Sequence, residues 1–151
     1  MTAKLTDLEV SPAQGYAGDV SAVTAWRMLE ADRSARLIDV RTAAEWAYVG
    51  GPDLSSIGHK ALQIEWQQFP AMIVDPQFTA RVQQVTADCC GPLLFLCRSG
   101  ARSAAAARAL AAQGRERCFN VADGFEGPLD SQRHRGTARG WKASGLPWLQ
   151  S

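Results

Sequence analysis

The sequence predicts an α/β fold with helices layered on a mainly parallel sheet, and three observations carry that prediction. The apolar run Leu93-Leu94-Phe95-Leu96 reads as a strand buried on both faces, as a central parallel strand is. It passes through a glycine-containing turn into an alanine-rich, helix-prone stretch that opens at Ala101. Strand-like and helix-like segments alternate on either side of this pair.

Residues 1–19 are polar and carry Pro12, Gly15 and Gly18, which predicts an irregular lead-in to a domain over 20–151. Ser21 stands where an N-cap belongs, ahead of a helix Ala22–Ala31 whose Val23, Trp26, Met28 and Leu29 recur at helical spacing. The β-prone run 37–40 predicts a strand, and Arg41-Thr42 lead from its end into a helical turn through Glu45 and Trp46. Between Gly50 and Gly58 the chain has loop chemistry. A weaker strand follows at 61–65, then a helix at 75–88 opened by Asp75-Pro76, with Phe78, Val82 and Val85 on one face. After the strand 93–96, the helix 101–113 stops at Gly114, and 118–122 predicts another strand.

A chain of 151 residues suffices for one core without disulfides or a structural metal. Sixteen basic against 15 acidic residues give no overall reason to expect a nucleic-acid or membrane partner, so electrostatic effects are local. The five tryptophans are too scattered for a stacking platform and read as core or rim anchors. No early stretch resembles a secretory signal and no segment reaches transmembrane length, which predicts a cytoplasmic protein. The four cysteines, 89, 90, 97 and 118, have neither the spacing of a disulfide framework nor that of a zinc site; no metal and no cofactor is expected.

Cys97 ends the buried strand and begins the segment Cys97-Arg98-Ser99-Gly100-Ala101-Arg102-Ser103. A tight turn between a strand and a helix N-terminus leaves backbone N–H groups without intrahelical partners and turns them into one concavity, a cradle for an anion. A thiol in that cradle is stabilised as the thiolate by the helix dipole and by Arg98 or Arg102. Gly100 lets the backbone bend closely around a bound group, and the alanines at 104–107 let the helix approach the sheet. A cysteine at a strand end is more commonly a small buried hydrophobe. That reading suits Cys89, Cys90 and Cys118, but it leaves the arginines and glycine after Cys97 unexplained.

The segments Asp39-Val40-Arg41 with Glu45, Gly58-His59, the cysteine loop, Asp123-Gly124-Phe125 and Gly140-Trp141-Lys142-Ala143-Ser144-Gly145-Leu146-Pro147 resemble, in order, the signature of single-domain rhodaneses. The resemblance covers roughly residues 20–149 and is most specific in the cysteine loop. It implies a three-layer sandwich around a five-stranded, mainly parallel sheet. It also implies a two-step reaction in which Cys97 takes sulfane sulfur from a small anionic donor such as thiosulfate and passes it to a thiol or other thiophilic acceptor. Residues 98–103 would then form the substrate-binding loop. Sulfur-transferring members have four residues between the cysteine and the later arginine, and the related phosphatases have five; this chain has four, Arg98 to Ala101. A Cys-dependent phosphatase or arsenate reductase of the related fold, and a non-catalytic rhodanese-like binding module, are the alternatives.

Asp39, Arg41 and Glu45 read as charges that pair with one another and pin a loop, and His59 as a residue that holds a turn by hydrogen bonds. Residues 126–139 are an insertion between Phe125 and Gly140 relative to the family pattern. With Arg133, His134, Arg135 and Arg139 among Gly, Ser and Thr, it predicts a mobile, solvent-facing substrate loop beside Cys97 that helps to attract an anionic donor.

Overall fold

The computed structural model describes residues 9–68 and 70–150. Its strands are β1 Gly18–Val20, β2 Arg36–Asp39, β3 Gly51–Pro52, β4 Leu62–Gln63, β5 Gln67–Gln68, β6 Ile73–Val74, β7 Leu93–Leu96, β8 Cys118–Val121 and β9 Trp148–Leu149. Its helices are α1 Ala22–Ala31, α2 Ala43–Val49, α3 Phe78–Val85 and α4 Ala101–Ala112, with a short 3-10 turn at Ser55–Ile57. Five strands form the central sheet in the order β1-β8-β7-β2-β4, every neighbouring pair parallel.

Alternation along β7 divides the interior in two. Leu94 and Leu96 join Leu37, Val121, Phe125 and Trp141 against the α1 residues Ala22, Ala25, Met28 and Leu29. Leu93, Phe95 and Cys97 join Ile38, Val40 and Cys118 against Phe78 and Val82 of α3 and Ala106, Ala107 and Leu110 of α4. Helices therefore cover both faces, giving the expected three layers. The small side chains at 106 and 107 are fully buried, so α4 lies close on β7 and β8.

Local chemistry sets the helix starts. Ser21 Oγ accepts from Thr24 N at 3.1 Å at the start of α1, and a Thr42–Glu45 capping box opens α2. The Asp75-Pro76 start of α3 is displaced: Asp75 Oδ1 accepts from Gln77 N at 2.9 Å and the helix proper begins at Phe78. It ends at Val85, which is 49% exposed rather than on the core face with Phe78 and Val82; the C-cap Thr86 is the residue turned inward there, fully buried with its hydroxyl donating to Val82 O at 2.6 Å.

The lead-in expected over 1–19 holds regular structure at its end. Gly18 and Asp19 belong to β1, in register with Phe119 and Asn120 of β8. Three residues with one Gly and one Asp carry no strand signal of their own; pairing with β8 imposes the conformation. The same holds for the two-stranded antiparallel pairs β5–β6 and β3–β9, which join Gln67–Gln68 to Ile73–Val74 and Trp148–Leu149 to Gly51–Pro52. None of the described helices is long and apolar enough to cross a membrane.

Candidate active site

β7 ends at Leu96, and the next residue places a thiol at the carboxyl edge of a parallel sheet, where such folds collect ligands. Cys97 is 1% exposed. Its Sγ lies 3.1 Å from the backbone nitrogen of Gly100 and 3.1 Å from Ser103 Oγ. Gly100 is the N-cap of α4 with φ 110°, so the unpaired N–H groups of a 12-residue helix begin at the sulfur.

The loop is backed by the chain that follows β8. Phe125 N donates to Cys97 O at 2.8 Å, and Glu126 N and Gly127 N both donate to Arg98 O at 3.0 Å. A Cβ on Gly100 would stand 2.2 Å from Ala122 O, and one on Gly124 would stand 2.3 Å from Arg98 O. The approach that forms the cradle thus requires glycine on both sides. Asp123 accepts from Ala22 N at 2.9 Å, tying this chain to the start of α1. Burial pushes the Asp123 carboxyl up, against the pull of neighbouring N–H groups and Arg139.

The charged residues sort themselves differently from their order in the sequence. Asp39 and Arg41 are fully buried and joined through two side-chain hydrogen bonds, Nε to Oδ1 at 2.9 Å and Nη2 to Oδ2 at 2.7 Å, and a third from the Arg41 backbone N–H to Oδ1 at 3.2 Å. Arg41 also donates to Gly50 O and lies 4.4 Å above the Phe125 ring, while its Nη1 has no hydrogen-bond partner. This pair pins the loop after α2. Glu45 does not join it: it takes Arg102 of the cysteine loop in a bidentate pair at 2.6 and 3.0 Å. Burial pushes the Glu45 carboxyl up, but the hydrogen bonds and charge of Arg102, with Thr42 and Arg41, outweigh it and hold the group below its ordinary value. Arg102 is thereby fixed, and Arg98 and Ser99 are left exposed at the mouth of the loop. His59 holds its turn through its backbone N–H to Leu54 O at 3.2 Å.

Of the remaining cysteines, Cys89 and Cys118 are buried as expected, whereas Cys90 departs from that reading and faces solvent. Burial pushes the Cys118 thiol up to about 11, and Cys89 donates to Ser34 O at 2.7 Å. Among the described residues no cluster of His, Cys, Asp and Glu could hold a metal ion.

The insertion 126–139 starts against the cysteine loop, through the Glu126 and Gly127 bonds to Arg98. It departs from a loose flap in being cross-linked on itself. Asp130 Oδ1 accepts from Gln132 N and His134 N, both at 2.8 Å, and Oδ2 accepts from Thr137 Oγ1. Its basic residues diverge: Arg133 and His134 are exposed at the tip, Arg135 donates to Gly127 O at 2.8 Å, and Arg139 lines a cavity with Asp19, Ser21 and Asp123. The sequence reading missed Asn120 and Asp19, which stand behind the sulfur. The available signal was an asparagine in the otherwise apolar Cys118-Phe119-Asn120-Val121, where a buried polar side chain needs partners.

Comparison with known proteins agrees with this architecture. The crystal structure of Rv0390 from M. tuberculosis superposes with a TM-score of 0.81 at 44% identity, over 90% of this chain and 99% of that one. An uncharacterized protein of Rickettsia conorii, RC0915, is 34% identical over 86% of this chain and 95% of its own length. The chloroplastic rhodanese-like domain-containing protein 4 of Arabidopsis thaliana is 28% identical over 88% of this chain, which spans 26% of that protein. Residues 17–151 match the family described as the STR4 middle domain. With a rhodanese-like fold and a family match over nearly its whole length, the chain belongs to the STR4 middle domain family.

Proposed function

We propose that the protein is a sulfurtransferase that carries sulfane sulfur as a persulfide on Cys97. One observation carries this reading: the Cys97 sulfur sits at the N-terminus of α4, within reach of the Gly100 N–H, inside a six-residue loop whose second arginine, Arg102, is locked by Glu45. In the first step the Cys97 thiolate attacks the outer sulfur of a thiosulfate-like donor. An Sγ–S bond forms, the donor's S–S bond breaks, and sulfite leaves with the electron pair. The negative charge then rests on the terminal sulfur, where loop N–H groups can receive it. In the second step an acceptor thiolate attacks that terminal sulfur, the Sγ–S bond breaks, and the electron pair returns to Cys97. No metal and no strong general base is required once the thiol is ionised. Arg98, exposed at the mouth, would meet the donor's sulfonate end. The working compartment is the cytoplasm, the acceptor a small thiol or a thiol-bearing protein.

Intact mass after incubation with thiosulfate tests this reading. The expected result is a gain of one sulfur, lost on adding a thiol and absent in Cys97→Ser. Phosphoester or arsenate turnover without a sulfur adduct would assign the loop to the phosphatase branch instead. No adduct from any sulfane donor, and no turnover, would leave a binding module.

A further inference from the structure

Behind the Cys97 sulfur runs a chain of polar groups that sulfur transfer as written above does not use. Ser103 Oγ, 3.1 Å from Sγ, is 2.5 Å from Asn120 Oδ1. Asn120 Nδ2 donates to Asp19 Oδ1 at 2.9 Å and to Gly100 O at 3.2 Å, and Tyr16 Oη donates to the same Asp19 oxygen at 2.7 Å. Ser103 is 0% exposed, Asn120 3% and Cys97 1%, so no solvent competes for the bonds among these three, while Asp19 and Tyr16 at the far end are half-buried.

The partners fix the direction of every bond. A carboxylate and a peptide carbonyl only accept, so the amide NH2 of Asn120 faces them and its oxygen faces Ser103. Two oxygens 2.5 Å apart need a proton between them, and Asn120 Oδ1 has none to give. The single Ser103 proton is therefore on the Asn120 side, and the serine lone pairs face the sulfur. That suits a sulfur that donates or is neutral. A sulfur anion instead requires the hydroxyl proton, since a lone pair against a thiolate is repulsive.

We propose that Ser103 is a switchable hydrogen-bond donor to the Cys97 sulfur, and that Asn120, anchored by Asp19 and Gly100, is a positioning residue that holds the serine proton whenever that sulfur is uncharged. The catalytic consequence rests on the persulfide reading. On loading, charge leaves Sγ for the terminal sulfur and the Ser103 proton turns to Asn120. On discharge, the Sγ–S bond breaks, the electron pair returns to Sγ, and the proton turns back to the leaving thiolate. The hydroxyl rotates and no proton is gained or lost. The surrounding charges are Arg102 with Glu45, the Asp39–Arg41 pair, Asp19, and exposed Arg98; the substitutions below alter none of them.

The test is the pH profile of Cys97 alkylation by iodoacetamide, with the modified residue identified by peptide mass. Ser103→Ala should move the profile up by about one pH unit, because the thiolate loses a donor. Asn120→Leu, close to asparagine in size, should move it down, because nothing contests the serine proton. The double variant should match Ser103→Ala, a dependence that mere loosening of the site would not produce. Should Asn120→Leu fail to fold, the side-chain amide resonances of Asn120 in the unaltered protein are the readout. They should move with the alkylation midpoint, and this coupling should vanish in Ser103→Ala. An unmoved profile in Ser103→Ala, an upward shift in Asn120→Leu, a double variant unlike Ser103→Ala, or amide resonances that still follow the sulfur in Ser103→Ala overturns the proposal. Alkylation needs no sulfur donor, so sulfur loading with unmoved profiles sinks the switch alone. Shifted profiles without sulfur loading sink the persulfide reading alone.

Discussion

At Gly100 two requirements meet in one residue. Its φ of 110° belongs to glycine, and the space a Cβ would occupy is held by Ala122 O at 2.2 Å. Gly100→Ala should therefore either separate the cysteine loop from the end of β8 or turn the N–H away from Sγ. The strain is about 1–3 kcal/mol, and thermal unfolding should register it. The more telling measurement is sulfur loading from thiosulfate, expected to fall tenfold or more, of the order that misplacing a reacting group costs. Cys97→Ser should abolish loading altogether while circular dichroism and melting stay near the parent values, because the hydroxyl fits the same pocket but does not take up the sulfur. The geometry of the Cys97 loop was readable in the sequence because it is set by seven consecutive residues between a strand end and a helix start. Asn120 and Asp19 were not, because Asn120 reaches the sulfur through Ser103, 17 positions away on α4, and Asp19 only through Asn120, 101 positions away.

Among the elements, α2 does more for the site than its length suggests. It has no buried residue, yet its capping box presents Glu45 to Arg102 across 57 positions of sequence. Glu45→Gln should leave Arg102 poorly compensated, with a loss of about 1–3 kcal/mol at neutral pH, as for the removal of one partner from a charged hydrogen bond. The sign with pH follows from the depressed Glu45 carboxyl. A folded-state value below the unfolded one contributes stability above the unfolded value, and that contribution is lost as pH falls through the folded value. Urea midpoints of parent and Glu45→Gln should therefore differ at pH 7 and converge in acid, below the usual carboxylate range. A constant difference across pH would mean that packing, not charge, carries the effect. α1, β7 and α4 were legible because cap, apolar run and alanine content each act locally. The pairs β3–β9 and β5–β6, two residues per strand, have no local signature and exist through their partners.

Across the whole molecule a formal charge of +1 gives little long-range field, so any attraction for an anionic donor is local. Arg133, Arg135 and Arg139 lie on the insertion, which starts against the cysteine loop, but occupy three different surroundings. Replacing all three with alanine should raise the KM for thiosulfate by about two- to fivefold at low ionic strength, the scale of exposed charges. The difference should fade at high salt, with the maximal loading rate changed less; equal KM values at low salt would leave the insertion without a part in donor capture. The position of the insertion was legible from the strand that precedes it, and its internal bonding around Asp130 was not, since Asx-type turns depend on a single side chain. The order of the sheet also bears on how the protein comes to be. β1 waits for β8, and the cysteine loop is closed only when Phe125, Glu126 and Gly127 reach back to Cys97 and Arg98. A chain emerging from the ribosome therefore exposes Cys97 as an ordinary thiol until most of its length is available, and closure of such distant pairings is slow. On the proposed function, the site that would hold sulfur on Cys97 is completed only in the last stages of folding, so the nascent chain would not carry sulfur before it has a place for it.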